Sequence, residues 1–199
     1  MLDENPSPRS PIGRPSEEVA ESPECVRAYV ALGSNLGDRL AILQSALEML
    51  AARADVEIHA VSRLYETRAI GAAQGTFYNA VVALDTNLDG DHALQVLHEI
   101  ERAHGRERRV RWGDRTLDLD LLWHAKPAAP THGGEESRIR AKLPHPELTA
   151  RDFVLAPLGE LAPELMIDGR TCRQWLEGLP PASRSILGIV GQAGWNRRS

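Results

Sequence analysis

A short run of alternating leucines and aspartates constrains this chain more than any other part of its sequence. From Thr116 to Trp123 the residues read Thr-Leu-Asp-Leu-Asp-Leu-Leu-Trp. Side chains of a β-strand point alternately to opposite faces, so Asp118 and Asp120 share one face and the leucines at 117, 119 and 121 share the other. Two neighbouring carboxylates repel one another and need a counter-charge. Mg²⁺ suits them best, because it binds through one or two carboxylates together with substrate phosphates.

Five arginines lie just before this strand and, together with the aspartates, indicate phosphate chemistry. A guanidinium group binds phosphate oxygens through two parallel hydrogen bonds. Carboxylates for a metal beside arginines for phosphate suggest phosphoryl or nucleotidyl transfer. Each feature alone has a plainer explanation, since an Asp-x-Asp strand can be a solvated outer face and an arginine run a wet surface. The arginines are Arg106, Arg108, Arg109, Arg111 and Arg115.

The composition fits one soluble globular domain and argues against several function classes. The 199 residues carry a formal net charge of −5, which is unlike a general nucleic-acid binder. The acidic excess lies mainly in residues 1–25, and the remaining chain holds 21 basic and 22 acidic residues. Neither Cys25 nor Cys172 belongs to a zinc or disulfide pattern, which favours a reducing cytoplasm. No apolar run is long enough to span a bilayer.

Three segments are predicted along the chain. Residues 1–25 are acidic and rich in proline, which predicts a disordered extension. Residues 26–177 are predicted to form a single domain. Residues 178–199 are predicted to be an irregular tail, and no role is assigned to them.

Apolar spacing within the domain predicts an α+β fold. The element order is β-α-β-β-α-β, the ferredoxin-like pattern, which predicts a mainly antiparallel sheet with helices packed on one side and a C-terminal helical extension. The strands are expected at 26–32, 56–65, 77–85 and 116–123, with loops at 66–76 and 124–142. The helices are expected after Asp38, from a cap at Asp91 to Gly105, and over 151–161.

Six motifs, taken together, resemble the 6-hydroxymethyl-7,8-dihydropterin pyrophosphokinase family of folate biosynthesis. They occur in the order of that family and cover about residues 27–168. Any one motif is a weak signal, but jointly they are highly specific, and RWGDRTLDLD is close to diagnostic. The motifs are YVALGSNLGDR at 29–39, YET at 65–67, FYNA at 77–80, RWGDRTLDLD at 111–120, LPHP at 143–146 and RDFVLAPL at 151–158.

The resemblance implies a reaction and its partners. ATP would give its β,γ-pyrophosphoryl unit to the hydroxymethyl oxygen of the pterin, and AMP would leave. The resemblance also implies a ferredoxin-like fold and two Mg²⁺ ions, with Asp118 and Asp120 as their protein ligands. ATP and the pterin are the expected partners of a cytoplasmic monomer that binds neither nucleic acid nor a membrane.

The resemblance further assigns three groups of site residues. The catalytic arginines are Arg106, Arg108, Arg111 and Arg115. The pterin-binding residues are Gly33, Thr67, Ile70, Phe77, Asn79, Trp112 and Phe153. The ATP-binding residues are His98, Glu101, Arg108, Arg115, Arg140, His145 and Arg151.

The chemistry of a pterin agrees with these residue types. A flat heteroaromatic ring needs stacking partners such as Phe153 and Trp112, and an amide such as Asn79 offers both a donor and an acceptor to its edge. Each residue also has a structural alternative. Asn79 could cap a turn, Phe153 could belong to a helix core, His145 could serve the turn between its prolines, and His98 could be surface.

Two loops carry further expectations. A loop between Gly105 and Gly113 that closes over ATP would let the arginines engage and release the phosphates. At Ala69 the family usually has proline, and the loss of its fixed φ predicts a more mobile loop.

Three other functions compete with the pyrophosphokinase. A Mg²⁺-dependent nucleotidyltransferase would release pyrophosphate in place of AMP, and it usually needs a third carboxylate. A non-catalytic ferredoxin-like module, such as an RNA binder, fits poorly with the near-neutral body. A relative that binds both substrates without turnover is the third alternative.

Overall fold

The computed structural model of the protein describes residues 24–105, 113–126, 140–191 and 195–196. These residues form a six-stranded antiparallel sheet with a pair of helices on each face, which confirms the predicted α+β class. No helix among them combines the length and the hydropathy that crossing a bilayer requires.

Six strands make the main sheet, and two short ones make a separate hairpin. They are β1 (Val26–Ser34), β2 (Val56–Val61), β3 (Leu64–Arg68), β4 (Thr76–Thr86), β5 (Asp118–His124), the hairpin strands β6 (Met166–Ile167) and β7 (Arg170–Thr171), and β8 (Ile186–Gly191). The order across the main sheet is β5-β1-β4-β3-β8, and β2 pairs with the far end of β4. The helices are α1 (Arg39–Ala51), α2 (Gly90–Ala103), α3 (Asp152–Leu161) and α4 (Cys172–Gly178).

Alternation along the central strands divides the apolar interior into two layers. Leu32 of β1 and Val82 of β4 point to the face that α1 and α2 cover, whereas Tyr29 and Val81 point to the face that α3 and α4 cover. The first pair of helices lies on one side, as the ferredoxin-like pattern predicts. The C-terminal helices close the opposite side.

The leucines of the Asp-x-Asp strand lie on the predicted side. Leu117, Leu119 and Leu121 are at most 3% exposed and pack in the α1/α2 layer. Asp118 and Asp120 therefore point toward the α3 face of the sheet.

The predicted strand at 56–65 is wrong in detail, because the chain forms two strands there, β2 and β3. Ser62 interrupts the ladder between them. Its N–H donates to Val81 O at 2.9 Å, while its own Oγ accepts from Val81 N at 2.9 Å. The loop expected at 66–76 is correspondingly too long, since residues 66–68 continue β3 and Thr76 begins β4.

The predicted cap of α2 is also wrong. Asp89 is the N-cap, and its carboxylate accepts from His92 N at 2.9 Å. Asp91 lies inside the helix, where its carboxylate accepts from Ala141 N at 2.7 Å. Asp89 and Asp91 are both suitable N-cap residues by sequence. The contact of Asp91 with Ala141 N leaves Asp89 as the residue that caps the helix.

The tail predicted to be irregular contains a strand. β8 pairs antiparallel with β3, with Tyr65 opposite Ile189 and Thr67 opposite Ile186. The β6–β7 hairpin and α4 were not predicted either. The expected disorder of residues 1–25 lies outside the described residues except at Glu24 and Cys25, and most of the 124–142 loop lies outside them too.

A buried phenol joins β3 to α3 and gives a stability prediction. The Tyr65 hydroxyl donates to the Glu160 carboxylate, which also accepts from Arg63 Nε at 2.9 Å. Burial and the Glu160 carboxylate raise the pKa of Tyr65 to about 12, so the hydroxyl remains a donor at neutral pH. Tyr65→Phe should lower the free energy of unfolding by about 1.5–3 kcal/mol, the usual contribution of a hydrogen bond to a charged group.

Urea denaturation of the wild type and of Tyr65→Phe measures this loss. Tyr78→Phe is the control, because it keeps the ring on which the Arg39 guanidinium stacks at 3.7 Å. Equal stabilities of the two variants would contradict a role for the Tyr65 hydroxyl.

Candidate functional site

A cleft opens on the α3 face of the sheet, where β1 and β3 end and β4 and β5 begin beside the start of α3. Its space measures about 710 Å³, part of which is open solvent. The cleft gathers six of the seven residues predicted to bind pterin, both predicted metal ligands and two predicted phosphate-binding arginines. Those lining residues are Gly33, Thr67, Ile70, Phe77, Asn79, Phe153, Asp118, Asp120, Arg115 and Arg151.

The floor of the cleft is a glycine that faces an oriented amide. Gly33 lies opposite Asn79 on one side and Asp118 on the other. Asn79 Nδ2 donates to Thr67 Oγ1 at 2.7 Å, and both side chains are buried. A Cβ at Gly33 would lie 3.0 Å from Asn79 Oδ1. Glycine therefore keeps the space in front of this amide oxygen open.

The acidic end of the cleft has positive partners in place. The Asp118 carboxylate forms an ion pair with the Arg115 guanidinium. Asp120 Oδ2 lies 3.9 Å from Arg151 Nη1, and its Oδ1 lies 4.0 Å from His145 Nε2. The Arg115 and Arg151 guanidinium groups reduce the repulsion between the two carboxylates. They also bring predicted phosphate-binding groups to the predicted metal ligands.

Backbone contacts orient His145. The backbone N–H of His145 donates to Leu122 O at 2.8 Å, which joins the Pro-His-Pro turn to β5. Its Nδ1 accepts from Glu147 N at 3.2 Å. The neutral imidazole therefore carries its proton on Nε2, the nitrogen that faces Asp120.

The first residues of α3 form one wall. Arg151 is the N-cap, and its guanidinium lies 5.7 Å from the centre of the Phe153 ring. Phe77 lines the same cleft from β4. Two aromatic rings thus border a space whose floor carries an amide oxygen.

Asn35 joins three segments around the cleft and was not predicted to do so. Its Oδ1 accepts from Arg115 N at 2.6 Å, and its Nδ2 donates to Asp114 Oδ1 at 2.7 Å. Asp114 Oδ1 also accepts from Gln74 N at 2.8 Å. The N–H of Gln74 and the amide of Asn35 lower the pKa of Asp114. Asn35 lies in the motif at 29–39 and Asp114 in the motif at 111–120, and these motifs were the available signals.

Three predicted ATP-binding residues lie on or against α2. Glu101 is buried, and its Oε1 accepts from Leu119 N at 2.7 Å, between the two aspartates of β5. His98 lies one turn earlier on the helix. Arg140 Nη1 lies 3.4 Å from Asp91 Oδ2 at the other end of α2. Their roles toward ATP stay predictions.

Part of the predicted site lies outside the described residues. This applies to Arg106, Arg108, Arg111 and Trp112, and to the closing loop of which they are part. The loop around Ala69 belongs to the described residues, and the backbone N–H of Ala69 donates to Gly75 O at 3.3 Å. A proline at this position could not make that bond.

The donor set of the cleft fits Mg²⁺. Among the described residues, no group of three or more His, Cys, Asp or Glu side chains comes together in a way that could hold a metal. The two carboxylates of Asp118 and Asp120 match what Mg²⁺ usually takes from a protein when phosphate oxygens and water complete its coordination.

Comparisons with known proteins decide the family. The sequence profile of the 7,8-dihydro-6-hydroxymethylpterin-pyrophosphokinases matches residues 29–163. The chain belongs to this family. It is 43% identical to a Methylorubrum extorquens 2-amino-4-hydroxy-6-hydroxymethyldihydropteridine pyrophosphokinase over 157 residues, which cover 78% of this chain and 95% of that protein. The protein of the same name from Pseudomonas aeruginosa is 42% identical over 77% of this chain and 92% of its own length.

Solved structures agree with the family on the fold. The wild-type Plasmodium falciparum HPPK-DHPS with pterin and p-hydroxybenzoate superposes with a TM-score of 0.57 at 17% identity. The match covers 79% of this chain and 44% of that chain, so the chain spans less than half of that longer protein. At this identity the similarity supports the ferredoxin-like fold alone.

The Asp114 contacts give a prediction about loop order. Asp114→Ala removes the acceptor of Gln74 N, so the amide of Gln74 should exchange with solvent deuterium about tenfold faster, as expected when a local bond opens freely. Hydrogen exchange read by mass spectrometry or NMR measures this. Asp38→Ala, which removes the α1 cap from Ala41 N, is the control and should leave Gln74 unchanged.

The same contact has a defined pH dependence. The pKa of Asp114 lies below its ordinary 3.8 in the folded protein. Its contribution to stability is therefore complete above the unfolded pKa and is lost as the pH falls through the folded pKa. Protection of Gln74 should persist at pH 5, and its loss at that pH would contradict the assignment.

Proposed function

We propose that this protein transfers the pyrophosphoryl group of ATP to the hydroxymethyl group of 6-hydroxymethyl-7,8-dihydropterin, with release of AMP, in folate biosynthesis. Membership of the pyrophosphokinase family supports the reaction. One structural observation carries the assignment of the site: the aromatic and amide residues of the cleft lie directly beside the Asp118–Asp120 pair.

The pterin would bind over Gly33 with its faces against aromatic rings. Phe77 and Phe153 border this space, and offset stacking on such rings favours a flat heteroaromatic ligand. The Thr67 hydroxyl holds the Asn79 amide, so Asn79 Oδ1 would accept from a donor on the pterin edge. Trp112 is proposed as a further stacking partner.

Two Mg²⁺ ions are proposed, with Asp118 and Asp120 as their protein ligands. Bound Mg²⁺ would neutralise charge on the polyphosphate and help to align it for in-line transfer. Arg115 now pairs with Asp118, and Arg151 lies near Asp120. Both guanidinium groups could turn to phosphate oxygens once a metal takes their place beside the carboxylates.

The remaining ATP contacts are proposed from the family motifs. His145 would present its Nε2–H to a phosphate or ribose oxygen near Asp120. Arg106, Arg108 and Arg111 would close over the phosphates, while His98, Glu101 and Arg140 would contact the nucleotide. We also propose a cytoplasmic monomer without nucleic-acid or membrane partners. The near-neutral charge of residues 26–199 supports the absence of a nucleic-acid partner.

A coupled assay for AMP with purified protein, ATP, Mg²⁺ and the pterin tests the reaction. The Asp118→Asn/Asp120→Asn double variant should lower kcat at least about 1,000-fold, because both metal-binding charges are lost. Asp55→Asn is the matched control at the far end of the sheet, where Asp55 pairs with Arg53. It should retain wild-type turnover.

The released nucleotide product separates the competing functions. AMP that appears only with the pterin supports the proposal. Pyrophosphate without AMP would indicate a nucleotidyltransferase. Binding of both substrates without AMP from the wild type would indicate a non-catalytic relative.

Gly33 provides a separate prediction about pterin binding. Gly33→Ala places a methyl group 3.0 Å from Asn79 Oδ1, so it should raise the KM for the pterin by about tenfold, since loss of one well-placed polar contact costs roughly 1.5 kcal/mol. The KM for ATP should change less than the KM for the pterin. Gly178→Ala has open space around its Cβ and serves as the control. An unchanged pterin KM in Gly33→Ala would place the pterin elsewhere.

A further inference from the structure

We infer that Asp152 is a positioning residue that anchors the pterin-binding wall to the C-terminal strand β8. The inference rests on the proposed function and extends the site to a segment without an assigned role. Asp152 lies between Arg151 and Phe153, whose side chains line the cleft. Its own side chain is turned away from them and is 2% exposed.

Three hydrogen bonds join Asp152 to the start of β8. Its Oδ1 accepts from Ser185 Oγ at 2.6 Å. Its Oδ2 accepts from Ser185 N at 2.6 Å and from Ile186 N at 2.9 Å. A buried carboxylate is costly unless donors surround it, and these three donors meet that requirement. The N-cap Arg151 makes no side-chain capping bond, whereas the Asp152 carboxylate accepts from residues 185 and 186 and so joins α3 to the start of β8.

The same two residues of the tail also hold the end of β3. Arg68 N donates to Ser185 O at 2.9 Å, and Thr67 lies opposite Ile186 in the β3–β8 ladder. Thr67 and Arg68 both line the cleft. Residues 185 and 186 therefore link two walls of the cleft, one from β3 and one from α3, without lining it themselves.

This arrangement gives the tail a defined effect on the reaction. The position of Phe153 on α3 relative to Phe77 and Asn79 on the sheet sets where a flat ring can stack while its edge meets the Asn79 amide. A displacement of about 1 Å in a substrate-positioning group can lower a rate by roughly 100-fold. Without the Asp152 carboxylate, the start of α3 would lose its connection to Ser185 and the wall carrying Phe153 would shift or move.

A variant series with the full-length protein tests the inference. Asp152→Ala should raise both the pterin KM and the pterin Kd by about tenfold, with a smaller change in the KM for ATP. The Kd is measured by calorimetry with Mg²⁺ and a non-hydrolysable ATP analogue, so it needs no turnover. Asp152→Asn keeps an acceptor for the two N–H donors and should remain within about threefold of the wild type. Ser185→Ala keeps both backbone bonds and should fall between them.

Asp55→Ala is the control for a loss of stability alone. It removes a paired carboxylate at the opposite end of β4, where the Thr86 hydroxyl donates to the Asp55 carbonyl oxygen. Thermal unfolding of both variants shows how much stability each has lost. Asp55→Ala should leave the pterin Kd unchanged at temperatures where it is folded.

The outcomes separate the inference from the proposed function. Wild-type pterin affinity in folded Asp152→Ala would overturn the positioning role while leaving the reaction intact. An equal loss of affinity in Asp55→Ala would overturn it too, because general destabilisation would then explain the effect. Wild-type protein that binds the pterin but releases no AMP would refute the reaction alone, and wild-type protein that binds no pterin would refute both.

Discussion

The burial of one face of β5 is the constraint on which the rest of the site depends. Leu117, Leu119 and Leu121 pack beneath α1 and α2, and each fully buried leucine contributes about 1.5–3 kcal/mol. A strand turned over, or shifted by one residue, would expose all three and bury Asp118 and Asp120 in an apolar layer. The hydrophobic layer thereby fixes the direction of two carboxylates that take no part in it.

The second requirement is that β1 ends where β4 and β5 begin. β1 lies between β4 and β5, so Gly33 comes to lie between Asn79 and Asp118. Each strand contributes a different chemical group: a position without a side chain, an amide and a carboxylate. The sheet register, and not any single loop, sets the spacing between the expected pterin site and the expected metal site.

The α3 face supplies the parts that the sheet lacks. Phe153 and Arg151 come from the start of α3, and His145 comes from the turn that is bonded to Leu122. Asn35 joins the end of β1 to Arg115 and Asp114. The C-terminal strand then holds α3 and β3 together through Ser185. The cleft is therefore assembled from segments that lie between residues 31 and 154 of the sequence.

Local pattern accounts for the parts of the fold that were predicted correctly. The period-two alternation of β5, the apolar core of β4 and the spacing of α1, α2 and α3 each arise from burial of one face or stripe. The predictions that were wrong depend on distant partners. The hydrogen bond from Val81 N to Ser62 Oγ interrupts the predicted strand at 56–65. The Asp91 carboxylate accepts from Ala141 N and is therefore not the helix cap. Residues 186–191 form a strand because they pair with the free edge of β3.

The sequence by itself determined the chemistry: two carboxylates on one strand face, arginines before them, and motifs that identified the family. These depend on residue type and short spacing, which alternation along a strand preserves. Only the tertiary structure decided that Arg115 pairs with Asp118, that Glu101 contacts the backbone of β5, and that Asp152 turns away from the cleft toward Ser185. The physical reason is that a side chain's partner depends on which segments pack together, and packing is settled by the whole core.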